Sequence, residues 1–244
     1  MNTWFQDWFS SEEYLEVYNH RDEEDAEKLL TLILKNTSVN TSSKILDAAC
    51  GAGRHSIYLL EKGHYVVGFD LSRTLLKKAK VEALKRNVKL DLFCSDLRNV
   101  SLKKKFDLIL NLFTSFGYFE SDKENFAFPI ASYKLLNRDG FYVLDYLNRE
   151  FIIRTLIPQS EKDVNGKKII ELRKIDQERI VKEIIINNKD NERSFYESVK
   201  LYKKDKIITE FEKIGFKLNK LFGDYDGSEF DINNSSRLIM FFKK

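Results

Sequence analysis

Ile45-Leu46-Asp47-Ala48-Ala49-Cys50-Gly51-Ala52-Gly53-Arg54-His55-Ser56 is the stretch around which the chain is arranged. Ile45 and Leu46 belong to an apolar run that reads as a buried strand. Gly51 and Gly53 then form a tight turn in which backbone can come close to a ligand. Helical spacing resumes from Ser56 to Glu61, with Ile57, Leu59 and Leu60 apolar. Strand, glycine turn and helix together aim unpaired backbone N–H groups at a small anionic ligand. Asp47 lies at the end of the strand, where open α/β sheets keep their ligand sites.

One step further, Tyr65-Val66-Val67-Gly68-Phe69-Asp70 reads as a second buried strand ending in an acid. A carboxylate at that place accepts both hydroxyls of a ribose, so the two features together point to a nucleoside-containing cofactor. The glycine pattern narrows the choice. A dinucleotide fold uses G-x-G-x-x-G, whereas the aligned positions here are Ala49, Gly51 and Ala52 or Gly53. The acid at Asp47 suits a cationic amino group better than a pyrophosphate. A nicotinamide-dependent dehydrogenase is therefore a distant reading.

The stretch resembles motif I of the class I S-adenosylmethionine-dependent methyltransferases, in its D-x-x-C-G-x-G-R-H form. The likeness continues through Gly63 and Asp70-Leu71-Ser72, and Asn-Leu-Phe-Thr-Ser-Phe-Gly-Tyr at 111–118 is similar to the matching loop of a bacterial small-molecule subset. It departs at Ala49, where many members have glycine; alanine costs little there if the backbone keeps a negative φ. The resemblance covers about 40–244 and is strongest over 45–72 and 93–118. It implies an α/β fold: a Rossmann-like, doubly wound seven-stranded sheet with an antiparallel C-terminal hairpin. It also implies S-adenosyl-L-methionine as cofactor.

Composition agrees with an intracellular chain of one large domain, or of one domain with a modest insertion. The 244 residues include 19 phenylalanines and are 43% hydrophobic, ample for a core. Charged residues make up 32% with a formal net charge of +3, which does not demand nucleic acid. Cys50 and Cys94 each end an expected buried strand, so reduced thiols and a cytoplasmic setting are expected. No signal peptide opens the chain, and no apolar run reaches the roughly 18 residues of a membrane span. The three histidines and two cysteines lack metal-ligand spacing, so no metal is expected.

Taken in order, Trp4, Phe5, Trp8 and Phe9 read as a hydrophobic anchor, with a lid over a pocket as the alternative. A helix capped by Ser10 or Ser11 follows, on which Tyr14, Tyr18 and Arg21 share one face. The resemblance places an aromatic and an arginine of such a helix at the methionine end of the cofactor, here Tyr18 and Arg21; His20 reads as surface. Ala26, Leu29, Leu30, Ile33 and Leu34 form an apolar helix face. Arg54 and His55 open the helix after the glycine turn, where both ligand contact and a plain structural role are open. A helix over 73–86 follows the ribose acid. A third strand, 89–94, leads to Ser95-Asp96-Leu97, where the resemblance implies a carboxylate on the adenine amino group; Asp96 is equally suited to cap a helix. The fourth strand, 106–111, runs into Asn111, Leu112 and Phe113, and then Phe116 and Tyr118, an apolar loop where a methyl group would be presented. A helix over 122–137 and a fifth strand, 141–146, follow, with Asp145, Asn148 and Arg149 at its end. Period-two alternation over 168–175, 180–186 and 195–202 reads as an antiparallel meander. A final helix, 205–214, a strand from Phe216 to Tyr225 and a strand at 237–243 close the sheet.

These readings divide the chain into an N-terminal helical cap at 1–40, a core at 41–164 and 204–244, and an antiparallel insertion at 165–203. Cofactor contacts are expected from Tyr18, Arg21, Asp47, Ala49, Cys50, Gly51, Gly53, Arg54, Asp70, Leu71, Ser95, Asp96, Leu97, Asn111, Leu112 and Phe113. Substrate contacts are expected from Phe116, Tyr118, Asp145, Asn148, Tyr225 and Arg237, and catalytic roles from Tyr18 and Tyr118. The resemblance implies in-line methyl transfer to a small molecule. The absence of a convincing base favours an amine over a hydroxyl. An RNA methyltransferase and a non-catalytic cofactor-binding protein are the alternatives. A monomer or homodimer, without membrane attachment, is expected.

Overall fold

The computed structural model describes residues 4–18, 23–188 and 191–244. The N-terminal part is three helices: α1 (Trp4–Ser10), α2 (Glu13–Val17) and α3 (Glu23–Asn36). The core then alternates strand and helix: β1 (Lys44–Ala48), α4 (Arg54–Glu61), β2 (Tyr65–Asp70), α5 (Arg73–Lys85), β3 (Asp91–Cys94) and β4 (Phe106–Asn111). After β4 come α6 (Asp122–Asn125), α7 (Ala127–Leu135), β5 (Leu136–Leu147) and α8 (Arg149–Thr155). Four strands follow, β6 (Gln159–Val164), β7 (Lys167–Asp176), β8 (Arg179–Asn188) and β9 (Asn191–Lys200). The chain closes with α9 (Lys204–Ile214), β10 (Lys217–Phe222) and β11 (Arg237–Lys243).

The main sheet has seven strands in the order β10-β11-β5-β4-β1-β2-β3. β3, β2, β1, β4 and β5 are parallel, and the β10–β11 hairpin is antiparallel, joined to β5 through β11. Strand order reverses between β1 and β4, and that switch point is where an open α/β sheet leaves a crevice. Continuous apolar runs explain the central strands, which are covered on both faces. In β11, Met240 and Phe242 join one side of the core with Phe211 and Phe216, while Ile239 and Phe241 join the other with Leu29, Leu30 and Ile33. Of the apolar face expected on α3, Leu34 is only partly buried and Leu32 is buried instead.

The helix expected to carry Tyr18 ends at Val17, the strand expected from Phe216 to Tyr225 is Lys217–Phe222, and two larger elements also differ from the sequence reading. The single helix expected over 122–137 is α6 and α7, broken at Phe126, and the chain is already extended from Leu136. A complete capping box, Ser121 with Glu124, starts α6. The inserted antiparallel sheet has four strands in the order β6-β7-β8-β9, where three were expected, and it begins at Gln159. Its first strand, Gln-Ser-Glu-Lys-Asp-Val, is a polar edge strand with no apolar alternation to read.

The inner face of this second sheet forms a third core with the N-terminal helices. Trp8 packs on Phe195 of β9 at 4.6 Å, Phe5 on Phe119 at 5.6 Å and Trp4 on Tyr118 at 5.2 Å. Helix α1 is thus wedged between the inserted sheet and the loop after β4. Among the described residues no helix is long and apolar enough to cross a membrane.

Candidate active site

The turn after β1 is pinned to β2. Cys50 donates its N–H to the Phe69 carbonyl at 2.9 Å, and Gly51 donates to Asp70 Oδ2 at 2.9 Å. This path puts Ala49, Gly51 and Gly53 at φ of 54°, 56° and 82°. The negative φ on which a strain-free Ala49 depended is therefore absent. An L-residue in the left-handed region costs roughly 1–2 kcal/mol, because Cβ crowds the following carbonyl. Gly53 does not face the ligand space; it begins α4, and a Cβ there would meet the Ala79 Cβ at 2.9 Å. Its smallness lets α4 and α5 approach.

The three strand-end acids converge on one chamber of about 310 Å³ between the sheet's carboxyl edge and the N-terminal helices. Asp47 is buried and accepts from the Ser56 hydroxyl at 2.6 Å. Burial pushes its carboxyl up to about 7, against that hydrogen bond. Asp70 accepts from the backbone N–H of Gly51 and, at 2.7 Å, of Ser72; burial again raises its pKa. Asp96 caps the short 3-10 turn at Leu97–Asn99 and pairs with Arg98 at 2.7 Å. Burial pushes the Asp96 carboxyl up, but the bonds from Arg98 outweigh it and hold it below its ordinary value. Asp96 therefore serves as a cap and lines the chamber as well.

His55 also lines the chamber. It is neutral, because burial lowers its pKa to about 3, and its Nε2 is buried without a hydrogen-bond partner. A buried orphan nitrogen is rare enough to call for a ligand group. Leu15, Phe5, Phe9, Tyr14 and Tyr18 close the chamber from above. The aromatic start of the chain thus covers the chamber as well as anchoring the helices, and Ser72, whose N–H bonds Asp70, ties it down by donating its Oγ–H to the Phe9 carbonyl at 2.7 Å.

The loop after β4 forms the remaining wall. Phe113 and Thr114 both have left-handed backbone, at φ of 52° and 66°. Asp145, fully buried, holds them there: its Oδ2 accepts from Phe113 N at 2.9 Å and its carbonyl from Thr114 N at 3.1 Å. Arg237 pairs with Asp145 at 2.7 Å and donates to Thr114 Oγ1 at 3.0 Å. Tyr225 donates to Asp145 at 3.2 Å and stacks on Phe113, while Arg54 lies 4.6 Å over the Phe113 ring. From β8, Arg179 donates to the carbonyls of Gly117, Tyr118 and Phe119 at 3.2, 3.0 and 3.1 Å.

A second cavity of about 190 Å³ adjoins the chamber and shares Phe9, Tyr14, Phe113 and Tyr118 with it. Its far side carries Arg173, Lys182 and Glu197 of the inserted sheet, and Arg237 of β11. Glu197 accepts from Trp8 Nε1 at 2.7 Å, from the Tyr18 hydroxyl at 2.5 Å and from Lys182 Nζ at 2.7 Å.

Of the residues expected at the cofactor, Tyr18, Asp47, Ala49, Cys50, Gly51, Arg54, Asp70, Leu71, Ser95, Asp96, Leu97, Leu112 and Phe113 line the chamber. Asn111 lies behind it, donating to the Ser115 carbonyl at 3.2 Å and accepting from Tyr142. Arg21, like His20, is outside the described residues. Tyr118 and Arg237 line the second cavity. The other expected substrate residues do not: Phe116 is core, packed on Tyr146 and Phe126, and Asn148 caps α8 while donating to the Ile232 and Ser235 carbonyls. Asp145 and Tyr225 support the wall from behind. The sequence reading missed Arg173, Arg179, Lys182 and Glu197, whose charges look like solvent-face residues of a strand until the sheet is seen to roof the site.

Residues 45–140 match the family described as a methyltransferase domain. Over 122 residues the chain is 32% identical to the glycine/sarcosine N-methyltransferase of Aphanothece halophytica, covering 49% of this chain and 46% of that one. Over 104 residues it is 31% identical to the dTDP-3-amino-3,4,6-trideoxy-alpha-D-glucopyranose N,N-dimethyltransferase of Streptomyces venezuelae, covering 43% and 42%. The chain thus spans about half the length of the curated relatives it matches. Among solved structures, an S-adenosylmethionine-dependent methyltransferase from Clostridium acetobutylicum superposes with a TM-score of 0.81 at 17% identity, covering 94% and 95% of the two chains. An S-adenosylmethionine-bound amino pentose methyltransferase from Micromonospora echinaspora gives 0.71 at 18% identity, covering 96% and 97%. These structural likenesses establish the shared fold.

Proposed function

We propose that this chain is a class I S-adenosylmethionine-dependent methyltransferase that methylates a nitrogen of a small-molecule amine. The observation that carries this reading is the convergence of Asp47, Asp70 and Asp96 on one chamber, with a second cavity opening beside it. The residues fit the cofactor. Asp47 is a buried carboxyl that lines the chamber near Arg54, and the cofactor's amino group is a cation that it can hold. Asp70 keeps lone pairs for the ribose hydroxyls beyond its two backbone donors. Asp96 and the Leu97 N–H are placed for the adenine edge, and His55 Nε2 has a polar group to find. When bound, S-adenosylmethionine supplies an electrophilic methyl group on a cationic sulfur.

The work of the chain is then alignment and exclusion of water. Phe9, Tyr14, Phe113 and Tyr118 stand at the junction of the two cavities, where their rings keep water out and offer π faces to a cation. Asp145, Arg237 and Arg179 hold the loop that carries Phe113 and Tyr118. A neutral amine brings its own lone pair and needs no strong base. Tyr18 donates to Glu197, so its role is to hold that carboxylate rather than to take a proton. The relatives that methylate glycine, sarcosine and an amino sugar support an amine acceptor. The two cysteines are free thiols, which suits a cytoplasmic enzyme.

The test is incubation with S-adenosylmethionine and a panel of small amines and matching alcohols, read by mass spectrometry. N-methylated product with stoichiometric S-adenosylhomocysteine is expected. Products carrying only O-methyl groups would contradict the amine assignment.

A further inference from the structure

The inner face of the inserted sheet is largely apolar apart from one cross-strand row and Glu171 in the row beside it. Ile169 pairs with Ile186, Ile184 with Phe195 and Ile180 with Val199, as a packed face requires. Between them lie Arg173, Lys182 and Glu197, register partners across β7, β8 and β9, with Glu171 two residues from Arg173. Their side chains are only 22%, 14%, 17% and 10% exposed. Buried ion pairs seldom stabilise a fold better than well-packed apolar side chains would, so stability alone does not account for this row.

Among the described residues, three cations line the second cavity, Arg173, Lys182 and Arg237, and one carboxylate, Glu197. The partner of Arg173 is Glu171 and that of Arg237 is Asp145; both carboxylates sit behind the wall, outside the cavity lining. The cavity therefore offers guanidinium edges to an anion, beside a single carboxylate. Glu197 stands on the side of the cofactor chamber, because the Tyr18 hydroxyl that it accepts belongs to a residue lining that chamber. The volume of about 190 Å³ is below the roughly 300–1,000 Å³ of drug-sized ligand sites.

We infer that the second cavity binds a small zwitterionic acceptor, an amino acid, with its carboxylate on Arg173 and Arg237 and its amine on Glu197. This rests on the methyl-transfer reading above and names its substrate class. The arrangement turns the amine toward the aromatic junction and keeps the carboxylate away from it. Arg suits the carboxylate because its planar fork can grip both oxygens. Lys182 sets the position of Glu197 from the middle of the row.

Binding can be read without turnover. The full chain is first titrated calorimetrically with S-adenosylhomocysteine. The loaded protein is then titrated with glycine, sarcosine and the common L-amino acids, and with methylamine, dimethylamine and the other decarboxylated counterparts. At least one amino acid is expected to bind tenfold or more tightly than its decarboxylated amine. Arg173→Gln should erase that difference, and Glu197→Gln should weaken the amino acid and its amine alike. Thermal melts report whether either variant folds, and the wild-type comparison decides the matter if they do not. If S-adenosylhomocysteine binds but no amino acid does, or amines bind as well as amino acids, the inference fails and the family reading stands. Tighter binding of a dTDP-linked amino sugar would overturn it too. If S-adenosylhomocysteine does not bind, both fall.

Discussion

Replacing Asp47 by Asn should stabilise the ligand-free protein while crippling cofactor binding. Asp47 is buried, and its carboxyl is raised from 3.8 to about 7 by loss of hydration. Between those values the folded chain keeps a proton that the unfolded chain has released, so stability falls as pH rises from about 4 and the loss is complete just above pH 7. At about 1.36 kcal/mol per pH unit, the raised pKa costs the empty fold about 4 kcal/mol at pH 8, where the buried group is charged, and about 2 kcal/mol at pH 5, where folding must take up a proton. Asn keeps the volume and accepts the Ser56 hydroxyl, so most of that cost should vanish. For a domain of this size about 1 kcal/mol moves Tm by 2–4 °C, so Asp47→Asn should melt up to about 8–16 °C higher at pH 8 and about half as much higher at pH 5. Affinity for S-adenosylmethionine should fall by about 30- to 1,000-fold, as expected when one partner of a desolvated charge pair is removed. Thermal melts at the two pH values and calorimetric titration read both effects. A variant that melts at or below wild type at pH 8, or a gap that does not change with pH, would refute the reasoning.

Other substitutions test the walls of the site. Ala49→Gly relieves a left-handed alanine and should raise stability by about 0.5–1 kcal/mol in denaturant melts, with cofactor affinity kept. Arg179→Ala frees three loop carbonyls and should lower kcat by about 10- to 100-fold with little change in cofactor affinity, since a loop displaced by about 1 Å misaligns acceptor and methyl. Asp145→Ala leaves Arg237 in a buried site without its carboxylate and should destabilise by about 3–5 kcal/mol; Asp145→Ala with Arg237→Leu should recover part of that loss.

The ligand chamber was legible because its parts are local. Asp47 stands one residue before the end of β1, Asp70 ends β2 and Asp96 lies two residues past β3, so strand period and residue type suffice to place them. The same holds for β4 and β11, whose bounds match the reading. What could not be read is non-local. Asp145 and Arg237 are 92 residues apart in sequence, and each alone looks like a polar group aimed at a ligand. Together they pair and support a strained loop, and only Arg237 also lines the second cavity. Phe116 and Asn148 failed for the same reason: their partners, Tyr146 for the first and the carbonyls near Ser235 for the second, are visible only after folding. The charged row on β7–β9 alternates like a solvent face, and only the docking of α1 on that sheet reveals that it points inward. Ala49 shows a further limit, since residue identity suggested an ordinary backbone and the hydrogen bonds to β2 dictate otherwise.

The most direct measurement is calorimetric titration of the wild-type chain and of Asp70→Ala with S-adenosylmethionine and S-adenosylhomocysteine, with NADH as control. Micromolar, one-to-one binding of the first two ligands by wild type, its loss in Asp70→Ala and no response to NADH are predicted. Failure of both to bind, or undiminished binding by Asp70→Ala, would contradict a cofactor held between the strand-end carboxylates.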